Sequence, residues 1–375
     1  MIRWLPLLLW ILTVGGGAAA EWHVDNVVGS DGNSGSPDSP FRTAQRAVNQ
    51  AQAGDSIHLS PAGALYRQQI SIRGKTNIVI QGNGVTLTGA DPLPAEDWED
   101  LGNGLKRTKL KRTWADRHLL IRHGKAVRMG RSPSIRKAFP QPAALVADEF
   151  SWELADMENG WLYVRGSTVG LEWSVRAAGV ATSGPSRDVT IRNLNCRHAL
   201  NDGFNIHGDC RGLKCYDISG YENFDEGFSA HDTCTAWVTR GSFWGNDNAV
   251  ADVNHADSYY EDCSFRDSLS TEVLFSGGKH RLVNCRITAR GKTAFSLSVG
   301  SHPKIEGKSL GRCEVIGCRI ESADKVPRLL RISAECSARI ENCELLRINV
   351  SNRGDLKVND SQLDGSPWLV RSEAR

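Results

Sequence analysis

No cysteine occurs before residue 196, although the chain has ten from that position onward. There is no Cys-x-x-Cys pair and no His-x-x-x-His spacing, which argues against a structural zinc site. Neither sign of charge is in surplus: 45 Lys and Arg stand against 43 Asp and Glu, so no broad basic field points to nucleic acid. Beyond the first twenty residues no stretch is apolar enough to cross a bilayer. The Leu and Asn frame of leucine-rich repeats is missing, and so are the period-3.6 stretches that helical repeats require.

What is present begins with MIR, the apolar run WLPLLLWILTVGGG and AAA before Glu21. That order of charged, apolar and small residues predicts a secretory signal peptide over residues 1–20, cleaved after Ala20, and a secreted or periplasmic mature chain with no lasting membrane association. A start-anchored membrane helix is the rival reading. Against it, Pro6 and Gly15 to Gly17 leave the run short of the ~20 residues a span needs.

From residue 185 onward one frame recurs, with a β-rich piece, a polar turn and another β-rich piece. Phe204, Phe228, Val250, Val273 and Phe295 hold one place in it, at spacings of 24, 22, 23 and 22 residues. A second column comprises Cys263, Cys285, Cys318 and Cys343, each two before an apolar residue, with Asp360 expected in the equivalent slot. Short alternating strands with Gly, Asn and Asp turns at this period predict an all-β fold, a parallel β-helix.

Rungs of such a coil lie ~4.8 Å apart, so residues one period apart become neighbours. In GFNIH and GFSAH, alternation sends Phe204, Ile206, Phe228 and Ala230 inward and Gly203, Asn205, His207, Gly227, Ser229 and His231 outward. Cys210 and Cys234 would stack likewise, either as a disulfide, which an exported chain permits, or as buried thiols.

Residues 22–72 have their own logic. A turn-rich entry, SDGNSGSPDSP, leads into an amphipathic helix, FRTAQRAVNQA, with Phe41, Ala44, Val48 and Ala51 on one side, expected to cover the coil's open end. The order Gly-Ser-Asp-Gly-Asn, Pro-Phe-Arg-Thr, Ala-Val and Ala-Gly-Asp-Ser-Ile, then Tyr66 and strands, resembles the amino-terminal signature of right-handed parallel β-helix proteins of the pectin-lyase-like superfamily. The resemblance implies one domain over residues 21–375, monomeric and acting on a polysaccharide. It is specific for fold alone, because that superfamily holds lyases, hydrolases, epimerases and non-enzymatic adhesins.

Residues 91–184 break the frame. They hold Trp98, Trp114, Trp152, Trp161 and Trp173 and resemble the β-rich insertion some carbohydrate-active β-helix enzymes carry. Such an insertion often walls a binding site, with Trp161 the candidate sugar contact, or its tryptophans form its own core. Regular coils are expected over 185–371.

The chemistry-bearing residues crowd into three successive coils: Asp202, Asp225, Glu226, Asp247, Asp252, His207, His231, Asp232, His255 and Asp257, followed by Glu272 and Lys279. Stacking like charges on adjacent rungs is costly without a cation or a shared proton. One reading is a lyase on a uronate-containing polysaccharide, in which Asp202, Asp225, Glu226 and Asn248 hold Ca²⁺ and His207, His231 or Lys279 is the base, assisted by an Arg of the insertion. Asn205, Asp232, Asp252 and His255 would contact substrate. A second is a glycoside hydrolase, with Asp202 and Glu226 as a retaining pair or Asp202 and Asp252 as an inverting one. A third is a non-catalytic glycan-binding or structural coil. Simple alternation turns Asp252 into the core, where an unpaired carboxylate is expensive, so a bulge is expected to swing it outward.

Overall fold

A computed structural model describes residues 19–128, 138–302 and 309–368. Nearly all of the expected signal peptide therefore lies outside the described residues. The chain winds into a solenoid of three long parallel sheets. The first sheet contains the strands Val180–Ser183, Phe204–Ile206, Glu226–Ala230, Asn248–Val253, Thr271–Ser276 and Phe295–His302 in register. The second runs through Leu213–Tyr216, Thr235–Thr239, Asp257–Glu261, Lys279–Val283 and Arg312–Ile316. The third runs through Ser219–Tyr221, Ser242–Trp244, Ser264–Arg266 and Arg286–Ala289.

The core is a stack. Phe204 and Phe228 pair directly, their ring centroids 6.1 Å apart, and both are fully buried, as are Ile206 and Ala230. Phe228 also meets Phe243 and Tyr260 edge-on, so truncating it would empty the meeting point of three sheets, at a typical cost of ~3–5 kcal/mol. The column continues through Val250 and Val273 but then into Leu297, not Phe295. The coil after Val273 is two residues longer than the pattern implies. Phe295 pairs with Thr271 instead and faces outward beneath the Arg331 guanidinium, 4.6 Å from its ring centre.

The cysteine column sits at the corner between the second and third sheets, each thiol following a residue in the left-handed region: Asp262, Asn284, Gly317 and Asn342. Those residues turn the chain at the corner, and the Cys263, Cys318 and Cys343 thiols behind it each accept a backbone N–H. Cys285 N donates to Cys318 Sγ at 3.3 Å and Cys318 N to Cys343 Sγ at 3.4 Å. Ser361, not Asp360, ends the column, with its hydroxyl taking the Cys343 N–H at 3.0 Å. Asp360 is the left-handed corner residue of that rung.

Cys210 and Cys234 form no disulfide; all ten thiols are free and buried. Leu213 pairs with Ala236, and Cys210 lies three residues before Leu213 whereas Cys234 lies two before Ala236. Their side chains are thus out of step, and Cys234 Sγ turns toward the Ile206 and Gly208 carbonyl oxygens at 3.7 and 3.3 Å.

Near the amino terminus, helix α1 (Ala44–Gln50) starts at Thr43, whose side chain accepts the Arg46 N–H, and buries Ala44, Ala47 and Val48. It packs on the strands Glu21–Asp25, Ser56–Ser60 and Ile70–Arg73. The insertion leaves the coil at Ala90–Pro92 and has returned by Val180. It consists of two four-stranded antiparallel sheets around Leu120, Phe150, Trp152, Leu162, Val164, Leu171 and Trp173. Leu119 and Ile121 seat it on the coil against Leu200 and Phe224.

Candidate active site

Two adjacent columns enter the first sheet from its preceding turn. One carries Glu226, Asn248 and Thr271 in ladder register, with Asp202 one rung below Glu226. The other carries Asn201, Asp225, Asp247 and Ser270, linked by backbone hydrogen bonds from each rung to the one below. Asn223 and Asn246 stiffen this turn from within: the Asn246 amide oxygen takes the Asn223 N–H at 2.9 Å, and its NH₂ donates to Gly220 O at 3.0 Å. Gly227 must be glycine for the acids to come together, since a Cβ there would lie 2.7 Å from the Gly220 and Ala249 carbonyl oxygens.

The result is a carboxylate cluster. Asp202, Asp225 and Glu226 each place an oxygen within 4.8 Å of the others. Asp202 is almost fully buried; its Oδ1 accepts the Glu226 N–H at 3.1 Å and its Oδ2 accepts from Ser229 Oγ at 2.8 Å and Asn201 Nδ2 at 3.1 Å. Asn248 Nδ2 donates to Glu226 Oε1 at 2.9 Å. Desolvation pushes Asp202 up to about 6 against the opposing pull of its hydrogen bonds, and desolvation together with the Asp225 and Asp202 charges pushes Glu226 well above the usual carboxylate range. At neutral pH the buried acids are therefore held short of full ionisation unless a cation joins them.

Two arginines of the insertion close the cluster. Arg117 Nη1 is 2.8 Å from Asp225 Oδ2 and also donates to Asn201 Oδ1, with its guanidinium lying over Trp114 and Phe224. Arg128 donates to the Asn223, Phe224 and Gly245 carbonyl oxygens; desolvation pulls it down to about 10 against the charges of Asp247, Asp225 and Glu222. Arg117 is the insertion arginine that meets the acids, and the sequence could not supply its number because its partner is more than a hundred residues away.

Ser229 joins the acids to the histidines. His231 Nε2 is 3.0 Å from Ser229 Oγ, which donates onward to Asp202, so the imidazole donates from Nε2 and Nδ1 is its basic nitrogen. His207 stacks on His231 with centroids 3.9 Å apart, and its Nδ1 lies 3.5 Å from Asp232 Oδ2. Desolvation, reinforced by His207, holds His231 down at about 3, so it is neutral at any ordinary pH. Asn205 faces outward beside Ser229, as alternation predicted.

Other candidates lie elsewhere. Asp252 is in the core without a bulge: it pairs with Phe275 and is fully buried. Its carboxylate takes the Ala230 N–H at 2.8 Å, Ser258 Oγ at 2.6 Å and Tyr260 Oη at 2.7 Å, which satisfies the charge that was expected to force it outward. Buried in the core and held there, it is not placed to meet a substrate or to pair with Asp202 across the surface. Glu272 is likewise buried, held by Ser268 and pushed up to about 7 by desolvation. His255 lies in the turn after Asn248–Val253, and Lys279 stands on the second sheet; both border a separate groove. Trp161 is on the insertion, its ring covered by the Arg107 guanidinium at 4.1 Å. Trp152 and Trp173 are core residues of the insertion.

No family model and no curated protein matches the sequence. Solved structures do match its shape. One is a glycoside hydrolase, at 9% identity and a TM-score of 0.56, covering 92% of this chain and 97% of that one. Another is the pectate lyase Pel9A, at 8% identity and a TM-score of 0.52, covering 91% and 79%. These likenesses show the fold, a right-handed parallel β-helix.

Proposed function

We propose that the protein is an exported lyase that cleaves a uronate-containing polysaccharide by β-elimination at the Asp202–Asp225–Glu226 cluster. The observation that carries this reading is the union of three crowded carboxylates with a neutral histidine through Ser229. The two similar structures named as a pectate lyase and a glycoside hydrolase support a carbohydrate substrate.

The donor set suits Ca²⁺, which takes carboxylate and amide oxygens; Asp202, Asp225, Glu226 and Asn248 would hold it. When bound it would neutralise the sugar carboxylate and acidify the proton alpha to it. Within the chain, the residues divide the remaining work. His231, neutral and oriented by Ser229, offers Nδ1 as the base, and Asp202 steadies the imidazolium that forms. Arg117 fixes Asp225 and supplies a fixed positive charge beside the sugar acid. With Ca²⁺ bound Glu226 is a ligand and the leaving oxygen takes its proton from water; without a cation, burial and the neighbouring Asp225 and Asp202 charges favour the protonated form of Glu226.

That last property also favours a second reading, a glycoside hydrolase with Glu226 as general acid and Asp202 as its partner. Incubating the protein with polygalacturonate, alginate and neutral glycans separates the two. Ultraviolet absorbance that rises on a polyuronate and disappears with chelator supports the lyase. Reducing ends without absorbance support the hydrolase, and silence on every glycan refutes both.

A further inference from the structure

Lys279 and His255 do not reach the acids, and the surface they occupy has a pattern of its own. On the outer face of the second sheet one ladder slot reads Trp237, Tyr259, Arg281, Glu314, Arg339 and Lys357 on successive rungs. The neighbouring outward slot places Lys279 against Arg312, then Ser337 and Asp355. Between the two slots runs a groove of about 510 Å³ lined by five cations, Lys279, Arg281, Arg312, Arg339 and Lys357, and by two carboxylates, Glu314 and Asp355. The coil as a whole is close to neutral, so this is a local concentration. Arg281 pairs with Glu314 at 3.6 Å; among the described residues neither Lys279 nor Arg312 has an acidic partner within ion-pair distance.

At one end the groove meets a flat ledge. The Trp237 and Tyr259 rings are stacked 8° from parallel with centroids 5.2 Å apart, and Trp237 is 41% exposed. A large aromatic left open on a strand is an apolar platform for a flat apolar face.

We propose that this face is a second glycan-binding surface, which seats a carboxylate-bearing polysaccharide along the solenoid axis, apart from the acid cluster. Successive rungs lie ~4.8 Å apart, comparable with the advance of a pyranose chain per sugar, so a row of cations one rung apart meets successive sugar carboxylates. Arginine is suited to this because its planar fork matches a carboxylate in two hydrogen bonds. Trp237, backed by the stacked Tyr259, would offer its free face to a sugar at the chain's end. Glu314 and Asp355, set among the cations, would accept hydrogen bonds from sugar hydroxyls, which a DNA backbone does not offer.

The test is native electrophoresis through gels containing polygalacturonate, its fully methyl-esterified form, polyglutamate or single-stranded DNA, at low and at 0.5 M salt. The expected result is retardation by polygalacturonate alone, weakened by salt. Lys279→Glu with Arg312→Glu should weaken it roughly tenfold or more, because each exposed contact contributes modestly and reversal also adds repulsion. Trp237→Ala should weaken it independently, and Glu226→Gln should leave it intact, which separates this surface from the acid cluster. Equal retardation by polyglutamate or DNA, no retardation, or indifference to both sets of substitutions would overturn the proposal. Each variant is checked for an unchanged thermal midpoint.

Discussion

His231 lies face to face with His207 on the rung below, 3.9 Å between ring centroids, and donates to the Ser229 hydroxyl beside it. Burial keeps His231 uncharged, and the stacked His207 reinforces it. The sign of the consequence is fixed: His231 takes its proton in the unfolded chain below pH 6.5 but resists it in the folded one down to about 3. The unfolded state therefore binds more protons across that window, and stability falls as pH falls through it. His231→Asn should remove this loss. Thermal midpoints of variant and parent, compared at pH 7 and pH 4, should shift in the variant's favour at the lower pH; a pH-independent difference would show that the histidine is not held neutral.

Glu226→Gln keeps the oxygen that accepts from Asn248 and removes the ionisable group. Turnover should drop by roughly 10²–10⁴-fold while the circular dichroism spectrum stays the same. Full turnover in the variant would move the chemistry away from this cluster.

Arg117→Ala leaves Asp225 without its cation. Arg117 and Asp225 keep 22% and 12% of their side-chain surface, so the loss should be about 1–3 kcal/mol, below that for a fully buried pair. Adding Asp225→Asn should recover part of it, and denaturant titration of the single and double variants measures the coupling. Simple additivity would mean that the ion pair contributes nothing.

Calcium should raise the thermal midpoint of the parent in proportion to the logarithm of its concentration once above the dissociation constant, by mass action on the folded state. Asp202→Asn and Asp225→Asn should each abolish the rise, as scanning calorimetry with and without chelator would show.

Thiol counting with a chromogenic disulfide should find ten reactive groups in denaturant without reductant and almost none in the folded protein. Burial pushes Cys210 up to about 11 and Cys234 up to about 12, which suppresses the thiolate in addition to shielding it. Eight in denaturant would indicate a disulfide.

How far the sequence could be read depended on whether a residue's position was set by its own strand or by a distant partner. Phe204 and Phe228 repeat at one spacing within identical Gly-Phe frames, and alternation alone turned them inward. Phe295 fooled the same rule because a longer coil shifts the slot to Leu297, and counting cannot distinguish a longer turn from a longer strand. Asp252 followed the alternation that charge seemed to forbid; what makes it tolerable, Tyr260 and Ser258, arrives from the next sheet. The Asp202, Asp225, Asn248 and Glu226 neighbourhood was legible because each lies one rung from another. Arg117 was not, since nothing local connects residue 117 with residue 225.

The column that carries Asp202 and Glu226 goes on as Asn248 and Thr271 with the backbone unchanged. Acidity thus fades along the axis, from carboxylate to amide to hydroxyl, by side-chain identity alone. The coil behaves as a ruler whose graduations are interchangeable, so writing carboxylates at Asn248 and Thr271 would move the acid cluster upward by a rung along the axis.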